Sequence, residues 1–404
     1  MRSVPLLQAD SCPGAVRVQA PLNDRHYLDH ASTSVLRPEA ARAMSTWLAA
    51  PWAGDPGRVY AEGHAVRDAI ERAREAVALL LGTTANRVVF TSGGTEAANA
   101  AVFTAGRARS GAPMICADVE HSCVREAARR NGAVLLLEVD SAGRVDLDHL
   151  GALLAADPAN RPALVNCQWC NHELGTLQPV AEVVECCRSA GVPVHIDAAA
   201  AVGHVPVQLD ALGADFISVS AHKLGGPTGI GALVVRRGLR VEPLIVGGAQ
   251  ERARRGGLEN LIGIVGFGAA AAALSEPGKL EQEQAAARHL TDALVEAATA
   301  LDDVVVLGDG VRRAPHIVNV AVGGVLAEAV LLGLDRSGVA AHSGSACSSE
   351  SIEPSPVLAA MGVDPDRSLR LSVGWSTTDA DVEAFAEAFT PVVARLRALG
   401  AAGT

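Results

Sequence analysis

The sequence predicts an α/β protein of two domains: a large one built on a seven-stranded, mostly parallel sheet covered by helices, and a smaller α+β one. Three observations predict it. Seven short apolar runs alternate with helix-like segments between residues 64 and about 235. The pattern changes after about residue 275, where a charged helical segment precedes new strand candidates. At 404 residues, the chain is also too long for one simple core.

Helical patterns run near 64–81, 95–109, 121–131, 146–156 and 179–190. The apolar runs are Arg87–Thr91, Pro113–Cys116, Ala133–Val139, Ala163–Gln168, Val192–Ile196, Phe216–Val219 and Ala232–Val235. They show little polar alternation, as expected of strands buried on both faces between helices. A helix over Lys279–Ala300 should follow, then strands at Val304–Leu307 and Ile317–Val322, a further helix and a serine/glycine loop. An Arg-Leu-Ser-Val strand and a helix from Asp379 complete the chain. The expected division is 37–275 for the large domain, with 1–36 and 276–404 forming the small one. Sheets of this kind bind ligands outside the carboxyl ends of their strands, where Thr91, Asp197 and Ser220–Lys223 fall.

Composition narrows the function classes. Aromatic residues make up only 3%, so the core must be built from Ala, Val and Leu. A net charge of −11 without a lysine- or arginine-rich block argues against direct nucleic-acid binding. The N-terminal residues contain no apolar segment of signal-peptide length, and Ile262–Leu274 is too short to span a bilayer. A cytoplasmic protein with no membrane association is expected. The eight cysteines are irregularly spaced, and Cys167-x-x-Cys170 is the only CxxC. A zinc site needs two such pairs, or one pair with histidines at ligand spacing, so Cys167 and Cys186–Cys187 read as buried structural thiols and no metal is expected. His172, near Cys170, is the one residue that favours metal.

The chemistry concentrates at strand ends. Lys223 follows the apolar run Asp215–Val219 and precedes a glycine-rich loop, a place where a lysine sheds its proton and attacks an aldehyde. Asp197 ends the strand Val194-His195-Ile196-Asp197. An amine for an aldehyde and a carboxylate for a pyridinium nitrogen are what pyridoxal phosphate requires. Read singly, each fits the plainer reading better, a surface lysine beside a turn and a capping aspartate; together with the motifs that follow they do not. Thr91-Ser92-Gly93-Gly94-Thr95-Glu96 reads as strand, glycine turn and helix start, an anion site from backbone N–H groups and the Thr95 hydroxyl. His121 follows another strand, where an imidazole can stack on a planar ring and relay protons. Cys347 lies among small polar residues in His342-Ser343-Gly344-Ser345-Ala346-Cys347-Ser348-Ser349; no apolar packing explains it, and it reads as a nucleophilic thiol on a loop. Arg370 interrupts an apolar strand, which suits a substrate carboxylate or a structural ion pair.

With these motifs the chain resembles the cysteine desulfurases, class V members of the fold type I pyridoxal phosphate enzymes. The resemblance runs from Tyr27-Leu28-Asp29-His30 to about residue 390. Its specific parts are Thr91–Glu96, Ser220-Ala221-His222-Lys223, Ser343–Ser349 with Glu353-Pro354-Ser355, and Arg370-Leu371-Ser372. The short cysteine loop is similar to that of the branch serving iron–sulfur assembly and tRNA thiolation. The resemblance implies that Lys223 carries the cofactor, Asp197 pairs with its pyridine nitrogen and His121 stacks on its ring. Gly94, Thr95, Ser220 and His222 would hold the phosphate. Arg370 and Asn171 would contact the substrate, Lys223 or His121 would move protons, and Cys347 would take sulfur from L-cysteine. It also implies a homodimer and a sulfur-acceptor protein: an iron–sulfur scaffold, a tRNA-thiolation enzyme or a pathway-specific carrier.

Three positions depart from the family pattern. His172 stands where the second asparagine of Asn-Asn-Glu-Ile-Gly is usual, near the cofactor's phenolic oxygen. Ala200 replaces a glutamine that would bond the same oxygen, and Leu258 replaces a threonine that a second subunit would lend to the phosphate. His172 could restore one of these bonds; Leu258 restores none, so weaker cofactor retention is expected. The competing readings are a selenocysteine lyase or other C–S lyase, and a weakly catalytic scaffold carrying sulfur on Cys347.

Overall fold

The computed structural model describes residues 25–157, 160–343 and 355–402. Its strands are β1 (His26–Tyr27), β2 (Val88–Thr91), β3 (Met114–Ala117), β4 (Val134–Leu137), β5 (Leu164–Gln168), β6 (Val194–Asp197), β7 (Phe216–Ser220), β8 (Gly231–Val235), β9 (Val304–Leu307), β10 (Ile317–Val322), β11 (Val339–Ala340) and β12 (Ser368–Ser372). Seven of them form the main sheet in the order β2-β8-β7-β6-β5-β3-β4. The strands from β4 through β7 in that order run parallel. β8 is antiparallel to both β7 and β2. Only residues 221–230 link β7 to β8, too few for the dozen or more that a parallel crossover needs. The mostly parallel sheet is therefore present, with its reversal set by one short connection.

One expectation about burial fails. β4 is an edge strand whose Leu136 is 44% exposed, so it is not covered on both faces. Its run of Val and Leu looks like a central strand because composition alone does not report position in the sheet.

Small side chains let the helices approach closely. Helices α1 (Pro38–Leu48), α2 (Ala61–Leu80), α3 (Gly94–Ala108) and α4 (Ser122–Asn131) belong to this first unit. α3 packs on β5 to β8 through the fully buried Ala97, Ala98 and Ala101. α2 packs against the helix Leu261–Leu274, where a Cβ on Gly268 would meet the Ala73 Cβ at 2.5 Å. The glycine and alanine content thus substitutes for aromatic bulk in filling this core.

A separate core joins Leu28 to apolar residues between Leu290 and Val393. There β10 lies between β9 and β12 in an antiparallel sheet, and β1 pairs parallel with β11. Val357 and Leu358 pack instead into the core of the main sheet. No single helix among the described residues is long and apolar enough to cross a membrane.

Buried histidines make the fold sensitive to acid. Burial lowers His30, His195 and His204 to about 4, against an unfolded value of about 6.5. Each is neutral when folded, so its contribution is fully present above the unfolded value and is lost as pH falls through about 4. The loss is on the order of 3 kcal/mol per group at full protonation. The thermal midpoint should therefore fall steadily as pH is lowered across that window; a flat profile would contradict the assignment.

Candidate active site

The carboxyl ends of β5, β6 and β7 and the N-terminal ends of α3 and α4 meet at a cavity of about 660 Å³. Lys223 stands in its wall. β7 stops at Ser220, and the turn Ala221–Lys223 carries the lysine out of the sheet. The Lys223 carbonyl accepts a hydrogen bond from His204 Nε2 at 3.0 Å, which anchors the turn. Burial lowers the proton affinity of its amine; Asp197 opposes that shift and Arg370 adds to it. A neutral amine is therefore accessible, as attack on an aldehyde requires.

Asp197 ends β6 one strand away. Its Oδ1 accepts from Ala199 N at 3.0 Å and from Ser218 Oγ at 2.9 Å, which fixes the carboxylate. Across the cavity α3 begins at Gly94, with Gly93 before it and Thr95 after it. Ser220, His222, Thr228 and Gly229 line the same end. A Cβ on Gly231 would meet the Gly93 carbonyl carbon at 2.6 Å, so glycine is what lets β8 press against this turn. Backbone N–H groups, hydroxyls and a helix N-terminus converge there, the donor set of a phosphate site.

Two imidazoles face one another beside the lysine. His121 caps α4, its Nδ1 accepting from Cys123 N at 3.1 Å, so the neutral ring carries its proton on Nε2. His172 lies 5.0 Å from it, ring centre to ring centre, in a T-shaped contact. Burial lowers both to about 3; His172 and then Lys223 add to the shift at His121, Lys223 and then Arg370 at His172. His172 Nε2 lies 3.5 Å from Glu173 Oε1 without making a hydrogen bond, and with the ring neutral this is no ion pair.

Arg370 reaches the cavity from β12. Its Nη2 bonds Asp29 Oδ1 at 2.7 Å and Ser32 Oγ at 2.6 Å, and its Nη1 bonds the His172 carbonyl at 2.8 Å. Both readings of this arginine therefore meet in one place, since the ion-paired guanidinium also lines the cavity. Asn171 is different. Its Oδ1 accepts from Glu173 N and Leu174 N, its Nδ2 donates one bond to the Val119 carbonyl at 3.3 Å, and it is not among the lining residues. It shapes the turn that presents His172. Arg370→Ala should reduce kcat/KM for an amino-acid substrate on the order of 100-fold, chiefly through KM, and Arg370→Lys should not restore it because lysine lacks the planar fork. Steady-state kinetics would check this, and an unchanged KM would refute it.

Cys347 lies outside the described residues. Its flanks are described: His342 bridges Arg370 through Arg370 N to the His342 carbonyl at 2.7 Å, and Ser355 Oγ donates to Glu173 Oε2 at 2.6 Å. Both anchors stand at or beside the cavity wall, since His342 lines it and Glu173 adjoins His172. Ala200 also lines the cavity. Leu258 is 64% exposed and borders a smaller recess with Thr91, Ser92 and Gly229, on the phosphate side. Among the described residues no His, Cys, Asp and Glu cluster could hold a metal ion.

The residues present fit pyridoxal phosphate. An amine of lowered proton affinity, a fixed carboxylate and an anion cradle surround one cavity, and two buried ring nitrogens at its wall, His172 Nε2 and His222 Nδ1, have no hydrogen-bond partner among the described residues. The family model that matches residues 26–385 is aminotransferase class-V. A cysteine desulfurase of Dictyoglomus turgidum is 37% identical over 385 residues, covering 92% of this chain and 95% of its own. The chain belongs to the cysteine desulfurases. Within this family it is a pyridoxal phosphate-dependent enzyme. A cysteine desulfurase of Nostoc is 38% identical over 382 residues, covering 92% of this chain and 94% of its own. Among solved structures, a NifS-like protein from Rickettsia africae superposes with a TM-score of 0.83 at 28% identity, covering 91% of this chain and 99% of that one. A protein described as SspA in complex with cysteine gives 0.74 at 27% identity, covering 86% and 98%.

Two signals in this desulfurase were missed. Lysine occurs only at Lys223 and Lys279, arginine supplying every other basic side chain, so a lysine at a strand end was itself informative. Three neighbouring strands also end in polar–apolar–polar triplets, Asn166-Cys167-Gln168, His195-Ile196-Asp197 and Ser218-Val219-Ser220. That period-two pattern puts Gln168 in the cavity wall and Ser218 on Asp197.

Proposed function

We propose that this chain converts L-cysteine to L-alanine and leaves the sulfur as a persulfide on Cys347. The observation that carries the reading is the juxtaposition of Lys223, Asp197 and Arg370 around one cavity with both flanks of the Cys347 segment anchored beside it. Bound pyridoxal phosphate supplies an aldehyde for the substrate amine and a ring that withdraws electrons from the substrate carbons.

Asp197 would hold a proton at the ring nitrogen, and Gly94, Thr95, Ser220 and His222 would hold the phosphate. His121 would lie against the ring, and His172 would offer Nε2 toward the phenolic oxygen. Arg370 takes the substrate carboxylate, drawing on the guanidinium already oriented by Asp29 and Ser32. Lys223, whose amine burial favours as neutral, would remove the substrate's α proton and return protons to carbon, with His121 Nε2 as its partner. The Cys347 thiolate attacks the substrate sulfur. The new S–S bond forms as the C–S bond breaks, its electron pair stays with carbon, and a proton completes alanine.

The acceptor of the persulfide is a protein of iron–sulfur assembly, tRNA thiolation or a dedicated pathway, and the enzyme works in the cytoplasm. The division is 37–275, carrying the cofactor, and 1–36 with 276–404, carrying the cysteine; the separate core of Leu28 with residues between Leu290 and Val393 supports it, although Val357 and Leu358 pack on the main sheet. A homodimer is part of the reading, supported by the exposed apolar patch Leu244, Ile245, Val246 and Leu258 next to the phosphate side.

Single turnover with L-cysteine tests the reading. One alanine per chain and one sulfur added to the Cys347 peptide are expected. Alanine without sulfur on Cys347 would favour a C–S lyase, and faster turnover of selenocysteine would favour the selenium substrate.

A further inference from the structure

The polar triplets of β5, β6 and β7 do more than reach the cavity. Register sets Asn166 beside His195, and both Gln168 and Ser218 beside Asp197, all on the face that α3 covers. Asn166, His195 and Ser218 are completely buried. They form a chain of contacts ending on the carboxylate. Asn166 Nδ2 donates to the Ile115 carbonyl at 3.2 Å, and Asn166 Oδ1 lies 3.0 Å from His195 Nδ1. His195 Nε2 lies 3.1 Å from Ser218 Oγ, which donates to Asp197 Oδ1 at 2.9 Å.

Counting protons shows a conflict. The Ile115 carbonyl only accepts, so the Asn166 nitrogen faces it and the Asn166 oxygen faces His195; the ring proton therefore sits on Nδ1. Burial keeps the ring neutral, lowering it to about 4 although Asp197 pulls the other way. Nε2 is then a bare acceptor. Ala199 N also donates to Asp197 Oδ1, so that oxygen is an acceptor too. Ser218 has one hydroxyl proton and two acceptors within reach. Among charged groups, Asp197 is the one that acts on His195. Asp197 itself is faced by Glu120, by His121 and Cys123 at the start of α4, by His172 and by Lys223.

We propose that His195 is a positioning residue for the reaction: by competing for the Ser218 proton it keeps Asp197 the stronger base toward the cofactor's pyridine nitrogen. A carboxylate that gives up part of a hydrogen bond holds its partner's proton more tightly. Asn166 contributes by fixing the tautomer that makes His195 a competitor. The proposal rests on the reading of the cavity as a pyridoxal phosphate site.

The test uses the holoprotein loaded with cofactor carrying nitrogen-15 at the ring nitrogen, titrated with pH. In His195→Phe the hydroxyl serves Asp197 alone, and the pH at which the ring nitrogen loses its proton should fall by about half a unit. In Ser218→Ala the carboxylate loses that donor, and the midpoint should rise by a similar amount. Opposite displacements are the signature, since a merely loosened site would move both midpoints the same way. An unmoved midpoint in His195→Phe, or displacements of one sign, would overturn the proposal. Histidine nitrogen-15 spectra of the cofactor-free protein give a second readout: a neutral ring protonated on Nδ1 is expected, and a proton on Nε2 would overturn the proton count. Failure of the wild-type chain to bind pyridoxal phosphate would refute the underlying function, while the histidine spectrum would still decide the state of His195.

Discussion

Lys223→Ala is expected to abolish turnover of L-cysteine, leaving a rate lower by on the order of 1,000-fold or more. On the proposed reading two jobs fall on this one amine: holding the cofactor through its aldehyde and moving the substrate's protons. Neither passes to a neighbour. His121 and His172 are held neutral by burial and carry no primary amine. The only other lysine, Lys279, lies 3.5 Å from Glu283 on the helix Lys279–Thr299 and is not among the cavity residues. Lys223→Arg should fail equally, because a guanidinium stays charged and cannot attack an aldehyde. Turnover should be measured beside the thermal midpoint, which should hold because alanine relieves the desolvation of a buried amine. A variant that still turns over at the wild-type rate would exclude Lys223 from the chemistry.

Cys347→Ala should give the second large effect. Sulfur transfer to an acceptor should stop, and alanine release should fall on the order of 100-fold or more, while cofactor binding and the KM contribution of Arg370 persist. The reason is positional. The segment leaves the cavity wall at His342, which is bridged to Arg370, and returns at Ser355, which is bonded to Glu173 beside His172. Both flanks of the segment are thereby tied to the wall from which the Arg370 guanidinium projects. Cys347→Ser keeps the size and loses the nucleophile, so it should behave like alanine. Retained sulfur transfer in either variant would move the persulfide to another thiol. Cys170 and Cys187 are poor alternatives, since burial pushes both up to about 12.

Much of this architecture was legible in the chain because its signals are local. Strands Val304–Leu307 and Ile317–Val322 and the helix start at Asp379 stand where apolar period and capping residues put them. The meeting of Lys223, Asp197 and Arg370 at one cavity was legible because charged residues that end or interrupt apolar runs are costly without a purpose. What was missed depends on registry between strands. The Oδ1 of Asn171, read as a substrate contact, caps its own turn, which no spacing rule reveals. The Asn166–His195–Ser218 chain needs the pairing of three strands distant in sequence. The edge position of β4 needs the strand order, which composition does not encode.

The central claim is that Lys223 is the residue that carries pyridoxal phosphate. Reduction of the cofactor-loaded protein with borohydride, followed by digestion and peptide mass analysis, tests it most directly. With only two lysines in the chain the outcome is unambiguous. The account predicts a pyridoxyl group on the Lys223 peptide alone; a label on Lys279, or no label on either lysine, would contradict it.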